Sequence, residues 1–516
     1  MQSLPRPVLA ALRPDLRVET STDDPARPGV LIDQALGRRI RLDAASLALA
    51  QTLAARAPEN HDALADAVGV DGPTLDRLLT WLDGQLLLDT ANANAIADDA
   101  RRTTAIAAMP ADTVPLLIRD DARFTCTMCG SCCGGHNVGP VMGDVIAGLA
   151  DKMADLEAAT QTAKGLFFSL GGHPDDDRPA DVEDSQVLCH ASRGSCIFLA
   201  DDRKCRIHAA YGGDAKPRAC RIFPYALTAT PDGIAVTIQR ECRGFPEARA
   251  GKRLADDMPA IRKVLALVPQ RTQTRNIVRL DAATPLTWPQ YTALELQLHD
   301  IVDLDAASEI DTLLALRNAV AALEPPGTDP GMMPLADAQQ AIDQAVGALR
   351  GAVAQFAASI PEATDSMWVR SESLGLIDAA LAALRPDFGR VLLPLARPDQ
   401  RTLFRDHLHH ALMGKDLAQG KTVKSALARL SFGWLVTKAL AIHRAREVKR
   451  RHLVTQDVHD ALVIVEFLWR HEDFGGRLLG HFDAAITGLF FDQLHALAHH
   501  GRALATPDTR IELVKF

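Results

Sequence analysis

All nine cysteines of this 516-residue chain fall between Cys126 and Cys242, and the first four stand in the block Cys126-Thr-Met-Cys129-Gly-Ser-Cys132-Cys133. Thiols confined to a quarter of a chain need a chemical reason. Disulfide staples are a poor one, because a chain of this length with 47% hydrophobic residues has material for more than one core. Residues 1–20 carry Pro5, Arg6, Pro7, Arg13 and Pro14 without a sustained apolar run, so they do not read as a secretory signal. The longest apolar stretches, such as 462–467, are too short for a membrane span and are interrupted by charge. A cytoplasmic protein with reduced thiols is expected, and reduced thiols are available to metals. The net charge of -9 argues against general affinity for DNA or anionic membrane.

Abundant Ala and Leu with few aromatics predict a mainly α fold with small β elements. Residues 1–92 read as a winged-helix-like module: strands at 30–33 and 39–42 turning at Gly37, helices at 44–55, 61–68 and 73–82, and a closing strand at 84–88. Asp71 before Gly72-Pro73 is the predicted cap of the third helix. With nine Arg, no Lys and thirteen acids, this module offers phosphates little, so no DNA partner is expected. Residues 93–120 are read as a connector and 121–250 as the cysteine-rich metal domain, whose polar stretch 171–185 reads as a solvated loop. The remainder, 251–516, is a succession of helical patterns, with a possible division near 324–331. Helices are expected from Thr287 onward and at 335–360, 374–384, 403–413, 423–448, 457–471 and 478–500.

Thiolate is a soft ligand suited to zinc and to iron–sulfur clusters. The spacing Cys126-x2-Cys129-x2-Cys132 puts three sulfurs on one tight loop, as in bacterial ferredoxins, which favours iron–sulfur and leaves zinc as the alternative. Gly130, Gly134 and Gly135 allow sharp turns there. Adjacent side chains diverge, so Cys133 reaches a second metal or stays free. Downstream come Cys196, Cys205 with His208, Cys220 and Cys242. His136, His190 and His208 stand near cysteines, and Arg218, Arg221, Arg240 and Arg243 flank Cys220 and Cys242, where positive charge would offset thiolate charge. Tyr211 and Tyr225 also fall among the last cysteines.

The segments Phe124-Thr-Cys126 through Cys133, Cys196-Ile-Phe-Leu199, Cys205-Arg-Ile-His208, Lys216-Pro217, Cys220-Arg-Ile-Phe-Pro224 and Cys242 with Gly244 resemble the YkgJ-like CxxCxxCC family of zinc- or iron-chelating domains. The resemblance implies Cys126, Cys129, Cys132, Cys133, Cys196, Cys205, Cys220 and Cys242 as metal ligands, with His136, His208, Arg221 and Tyr225 around them. Cys189 lies outside the pattern. More loosely, an eight-cysteine set ahead of a long helical part is similar to the flagellin lysine-N-methylases, although their first block is spaced differently. That likeness implies metal-dependent modification of a protein or peptide, with S-adenosylmethionine as a possible cofactor. The N-terminal order is similar to PqqD-like domains, in which a strand edge pairs with a partner peptide.

Two classes of function follow. Either the metal site performs redox or group-transfer chemistry on a protein or peptide partner, or it holds structural zinc in an interaction scaffold. No P-loop or dinucleotide fingerprint is present, and the two residues between Cys126 and Cys129 do not match the radical-SAM loop.

Overall fold

A computed structural model describes residues 7–21, 23–55, 57–133, 138–141, 143–160, 166–169, 187–189, 191–192, 195–268, 271–304, 306, 308–324, 333–358, 365–470 and 472–504. His136, His190, the polar stretch 171–185 and all but Glu324 of the break at 324–331 lie outside them. Helices dominate and the sheets are small, as the composition predicts.

The chain opens with an antiparallel meander of β1 (Leu16–Thr20), β2 (Gly29–Asp33) and β3 (Arg38–Leu42), followed by α1 (Ala44–Ala55), α2 (His61–Val68) and α3 (Gly72–Gly84). Alternation along β2 sends Leu31 and Asp33 inward. Buried Asp33 is held by Arg13 at 2.7 Å and Arg38 at 3.0 Å, so the inward carboxylate is paired. Asn60 and Asp71 cap α2 and α3, each accepting a backbone N–H at 2.8 Å. The closing strand at 84–88 does not form. α3 runs through Gly84, Leu86 turns at φ 58, and only Leu88 bridges to Leu12. Leu86, Leu87 and Leu88 are all buried, which an alternating strand on a solvated sheet would not do. The order is therefore three strands then three helices, and the last strand that a winged-helix order requires is missing.

The connector is itself structured: α4 (Ala91–Ala108), capped by Thr90, lies against the strand Tyr225–Thr230 of the central sheet. Its buried Asp99 accepts the Trp288 backbone N–H at 2.7 Å. That sheet runs in the order 272–273, 225–230, 233–238, 116–117. Gly233–Ile238 is buried at every position, because both α4 and the helix Pro398–Met413 pack against it.

The helical part is built around Val423–Glu447, with Asp365–Val391 and Thr455–Arg470 against it. That central helix is apolar and long enough to cross a membrane by composition alone, yet 94% of its apolar window is buried inside the protein. Trp288–Asp303 starts with a capping box of Thr287 and Gln290, where the cap was expected. The predicted helix at 478–500 is instead broken into Leu479–His481, Asp483–Thr487, a widened turn Gly488–Asp492 and Leu494–Leu504. Leu489, Phe490 and Phe491 are consecutive and all buried, which a regular helix with one apolar stripe does not achieve.

Burial keeps several imidazoles neutral here. It lowers His299 and His410 to about 3 and His459 to about 4, and it pushes His407 well below the ordinary value. The unfolded chain takes up these protons first as pH falls, near about 6.5. The folded pKa values are depressed, so the stability these groups contribute is complete above about 6.5 and declines towards the folded values. The urea midpoint should fall steadily from pH 7 to pH 5, and His410→Gln should make that slope shallower. An unchanged slope would contradict the assignment.

Candidate metal centre

The first cysteines leave the sheet through a short ladder in which Arg123–Phe124 pairs antiparallel with Lys252–Arg253. Lys252 donates its backbone N–H to the Thr125 hydroxyl at 3.1 Å. A Cβ on Gly251 would stand 2.5 Å from the Phe124 backbone, so only glycine permits this approach. The loop then curls on itself: the Met128 N–H donates to Cys126 Sγ at 3.4 Å, with Met128 at φ 52 and its side chain 64% exposed. N–H groups aimed at sulfur stabilise thiolate charge. Gly130, at φ 69, brings the loop against the turn at Leu199–Arg203; a Cβ there would sit 2.9 Å from the Arg203 carbonyl oxygen. A single 3-10 turn, Ser131–Cys133, ends the block.

Cys196 lies at the end of the small strand Ser195–Cys196, and Cys205 precedes the helix Arg206–Tyr211 after a tight reversal in which Leu199 bridges to Cys205. Cys220 is on the short helix Arg218–Ile222. Cys242 comes from the other side, at the turn after Gly233–Ile238, with its N–H bonded to the Gln239 carbonyl at 3.1 Å. Gly244 fits between Thr127 and Cys242, where a Cβ would lie 3.3 Å from Thr127 Oγ1 and 3.6 Å from Cys242 Sγ.

None of the eight thiols of the pattern is in a disulfide; Cys126 and Cys132 are exposed, and Cys196 and Cys242 are buried. Their electrostatics follow from placement. Burial pushes Cys220 up to about 12, with Lys216 opposing and Cys196, Cys205 and Cys132 reinforcing the rise. Burial likewise takes Cys242 to about 12, eased by the Gly244 N–H and reinforced by Cys129, Cys126 and Cys132. Cys133 donates its S–H to Cys132, which holds Cys132 below the ordinary thiol value. Cys129 is also lowered: burial raises it, but hydrogen bonds from Ser131 and Thr127 outweigh that.

Around the thiols, Tyr225 is half-buried and raised, first by burial and then by the Asp257 and Cys126 charges, which puts it within electrostatic reach of the first cysteine. His208 is exposed on its helix, with its ring towards Gly213. Arg221 turns away from sulfur to Asp214 at 2.9 Å. Arg243 faces Asp460 at 3.5 Å, and Arg240 is buried among carboxylates. Lys216 is the cation that acts on Cys132 and Cys220. Sequence reasoning quoted it only as part of a motif; its position four residues before Cys220 was the available signal. The backbone of Cys189 pairs with Val138 and Phe167 in a separate three-stranded sheet.

A metal fits the donor set. The ligands on offer are thiols, within electrostatic reach of one another, with backbone N–H groups and one lysine around them. Among the described residues, no three His, Cys, Asp or Glu side chains already enclose an ion, so loading requires the thiols to draw together.

Residues 125–243 match the CxxCxxCC family, described as "Putative zinc- or iron-chelating domain". No curated protein and no solved structure matches the chain.

Proposed function

Starting from residues 125–243 as a metal-binding domain of the CxxCxxCC family, we propose that the protein holds an iron–sulfur cluster through its patterned cysteines and uses it to modify a protein or peptide by redox or group-transfer chemistry. The observation that carries this reading is the exposure of Cys126 and Cys132 within a set of eight thiols outside any disulfide. A structural site is closed, whereas a reacting centre needs a face that a partner can reach. Bound there, a cluster would supply electron transfer or an open iron position. Tyr225, within electrostatic reach of Cys126, would add a hydroxyl near that face. Lysine N-methylation is the instance the looser resemblance implies: the methyl group would pass from S-adenosylmethionine to the lysine amine, releasing S-adenosylhomocysteine and a proton.

The N-terminal module supports a peptide partner, because β1 and β3 are both outer edges of their sheet. An extended segment would add to one of them as a further strand. The acidic balance of residues 1–92 supports a protein partner over duplex DNA. A reducing compartment such as the cytoplasm suits free thiols.

A second reading, structural zinc in a scaffold, is favoured by the deep burial of Cys196 among apolar side chains. Anaerobically purified protein should be brown and contain iron with acid-labile sulfide; stoichiometric zinc without iron after anaerobic reconstitution would overturn the cluster in favour of zinc. Mass spectrometry of proteins captured by the full chain and by a form lacking residues 1–92 tests the enzyme. Added methyl groups or oxidation that depend on the cysteines support it, and a partner bound but never modified supports the scaffold.

A further inference from the structure

We propose that the eight thiols form two separate four-thiolate centres: Cys126, Cys129, Cys132 and Cys242 in one, and Cys133, Cys196, Cys205 and Cys220 in the other, divided at the Cys132–Cys133 peptide bond. The inference rests on the reading of these thiols as metal ligands, and it goes further by fixing how many centres they make.

Packing separates the two sets. Cys133, Cys196, Cys205 and Cys220 all contact one small apolar cluster that includes Leu149, Leu156, Phe198 and Ile207. Cys242 belongs instead to the large core, together with Phe124 and Phe245. Backbone contacts tie the two ends of the loop to different sets, with the changeover between Thr127 and Gly130. The Phe124–Thr127 end of the loop is fixed to Cys242, Gly244, Gly251 and Lys252. Gly130 fixes the other end to the Leu199–Arg203 turn, which carries Cys205.

The block is divided by its own backbone. Cys132 and Cys133 share a 3-10 turn, in which about three residues complete a circle, so successive side chains leave it about 120° apart. The two sulfurs meet through the Cys133 S–H, so filling two centres has to part them. The charge environment separates the sets except at Cys132: Cys242 feels Cys129, Cys126 and Cys132, whereas Cys220 feels Cys196 and Cys205 and, after them, Cys132. Four thiolates complete a tetrahedral zinc site or a cubane cluster, so eight thiols in two groups leave neither centre short of ligands.

The two centres differ in access. The Cys133 set is backed by its apolar cluster and includes buried Cys196, the surroundings of a closed, structural site. The other set exposes Cys126 and Cys132 and includes Cys242, on the turn that meets the helical part. Any chemistry on a partner belongs to this second centre.

The full-length wild-type chain provides the test. Metal-loaded protein is treated with a chelator and sampled over time with iodoacetamide, and the alkylated cysteines are identified by mass spectrometry. Two equivalents of metal or of cluster per chain, released in two phases, are expected. Cys126, Cys129, Cys132 and Cys242 should become alkylated together in the first phase, while Cys133, Cys196, Cys205 and Cys220 stay protected until the second. Cys242→Ser should halve the metal content, and adding Cys126→Ser should cost no more. Single-phase release with all eight thiols exposed at once would overturn the division while leaving metal binding intact. Protein that retains no metal under anaerobic loading would overturn the ligand reading itself.

Discussion

Stripping the metal should unfold the thiol-lined unit spanning 131–222 and leave the helical half standing. Its described elements are short: Ser131–Cys133, Val138–Val141, Gly143–Gly148, Ser195–Cys196, Arg206–Tyr211 and Arg218–Ile222 are each six residues or fewer, and the longest, Met153–Thr160, has eight. Helices of that length are not stable alone, and the apolar cluster they share is small. Without disulfides, the remaining source of cohesion is ligation, and a structural metal can supply folding free energy of order 10 kcal/mol. That exceeds what such a core provides. Hydrogen exchange before and after chelation under reducing conditions measures the effect. Protection should collapse around Phe198 and Ile207 and persist in Val423–Glu447, whose side chains fill the main core. Cys196→Ser should reproduce the collapse without a chelator. Retained protection around Ile207 in metal-free protein would show that the cluster folds by itself.

The sequence was most legible where one local rule decides the outcome. Asp71 caps α3, Thr287 and Gln290 form a box, and the helices at 44–55 and 61–68 start and stop as periodicity predicts, because caps and apolar stripes act within a turn or two. β1 was missed although Leu16 and Val18 alternate with charge, since five residues of alternation carry little weight without a turn signal. Leu86–Leu88 misled in the opposite way: a continuous apolar run fits a buried turn as well as a strand, and the left-handed Leu86 is not readable from composition. The cysteine pattern identified the domain, but spacing along the chain says nothing about which sulfurs share a neighbourhood. Cys242 stands beside Cys126 only because a buried hairpin and the Arg123–Phe124 ladder return it there. Likewise, Arg240 and Arg221 looked like partners for thiolates by sequence adjacency, and the fold gives both to carboxylates.

Arg240→Met should be among the most damaging substitutions outside the cysteines, although the residue touches no sulfur. Its side chain is buried, with Nε 3.0 Å from Glu466 and Nη2 2.6 Å from Asp416, and His407 stacks on Trp434 beside the same carboxylate. Arg470 lies farther off, at 3.5 Å from Glu466 and 3.7 Å from Asp416. Removing Arg240 leaves the Glu466 carboxylate buried without its close cation, which typically costs about 3–5 kcal/mol. Replacing both partners should be far milder, since Arg240→Met with Glu466→Leu deletes the charge pair and leaves Asp416 to Arg470. The consequence reaches the thiols through the backbone. Thr237 is bonded to His410 at 2.6 Å, Arg240 is locked to the helices, and Arg243 meets Asp460, so the three contacts together set where Cys242 is presented. A lowered urea midpoint, with weaker metal retention that the double variant restores, is the expected pattern. Stability within about 1 kcal/mol of wild type for Arg240→Met alone, the range of an exposed ion pair, would mean that this network does not hold the turn.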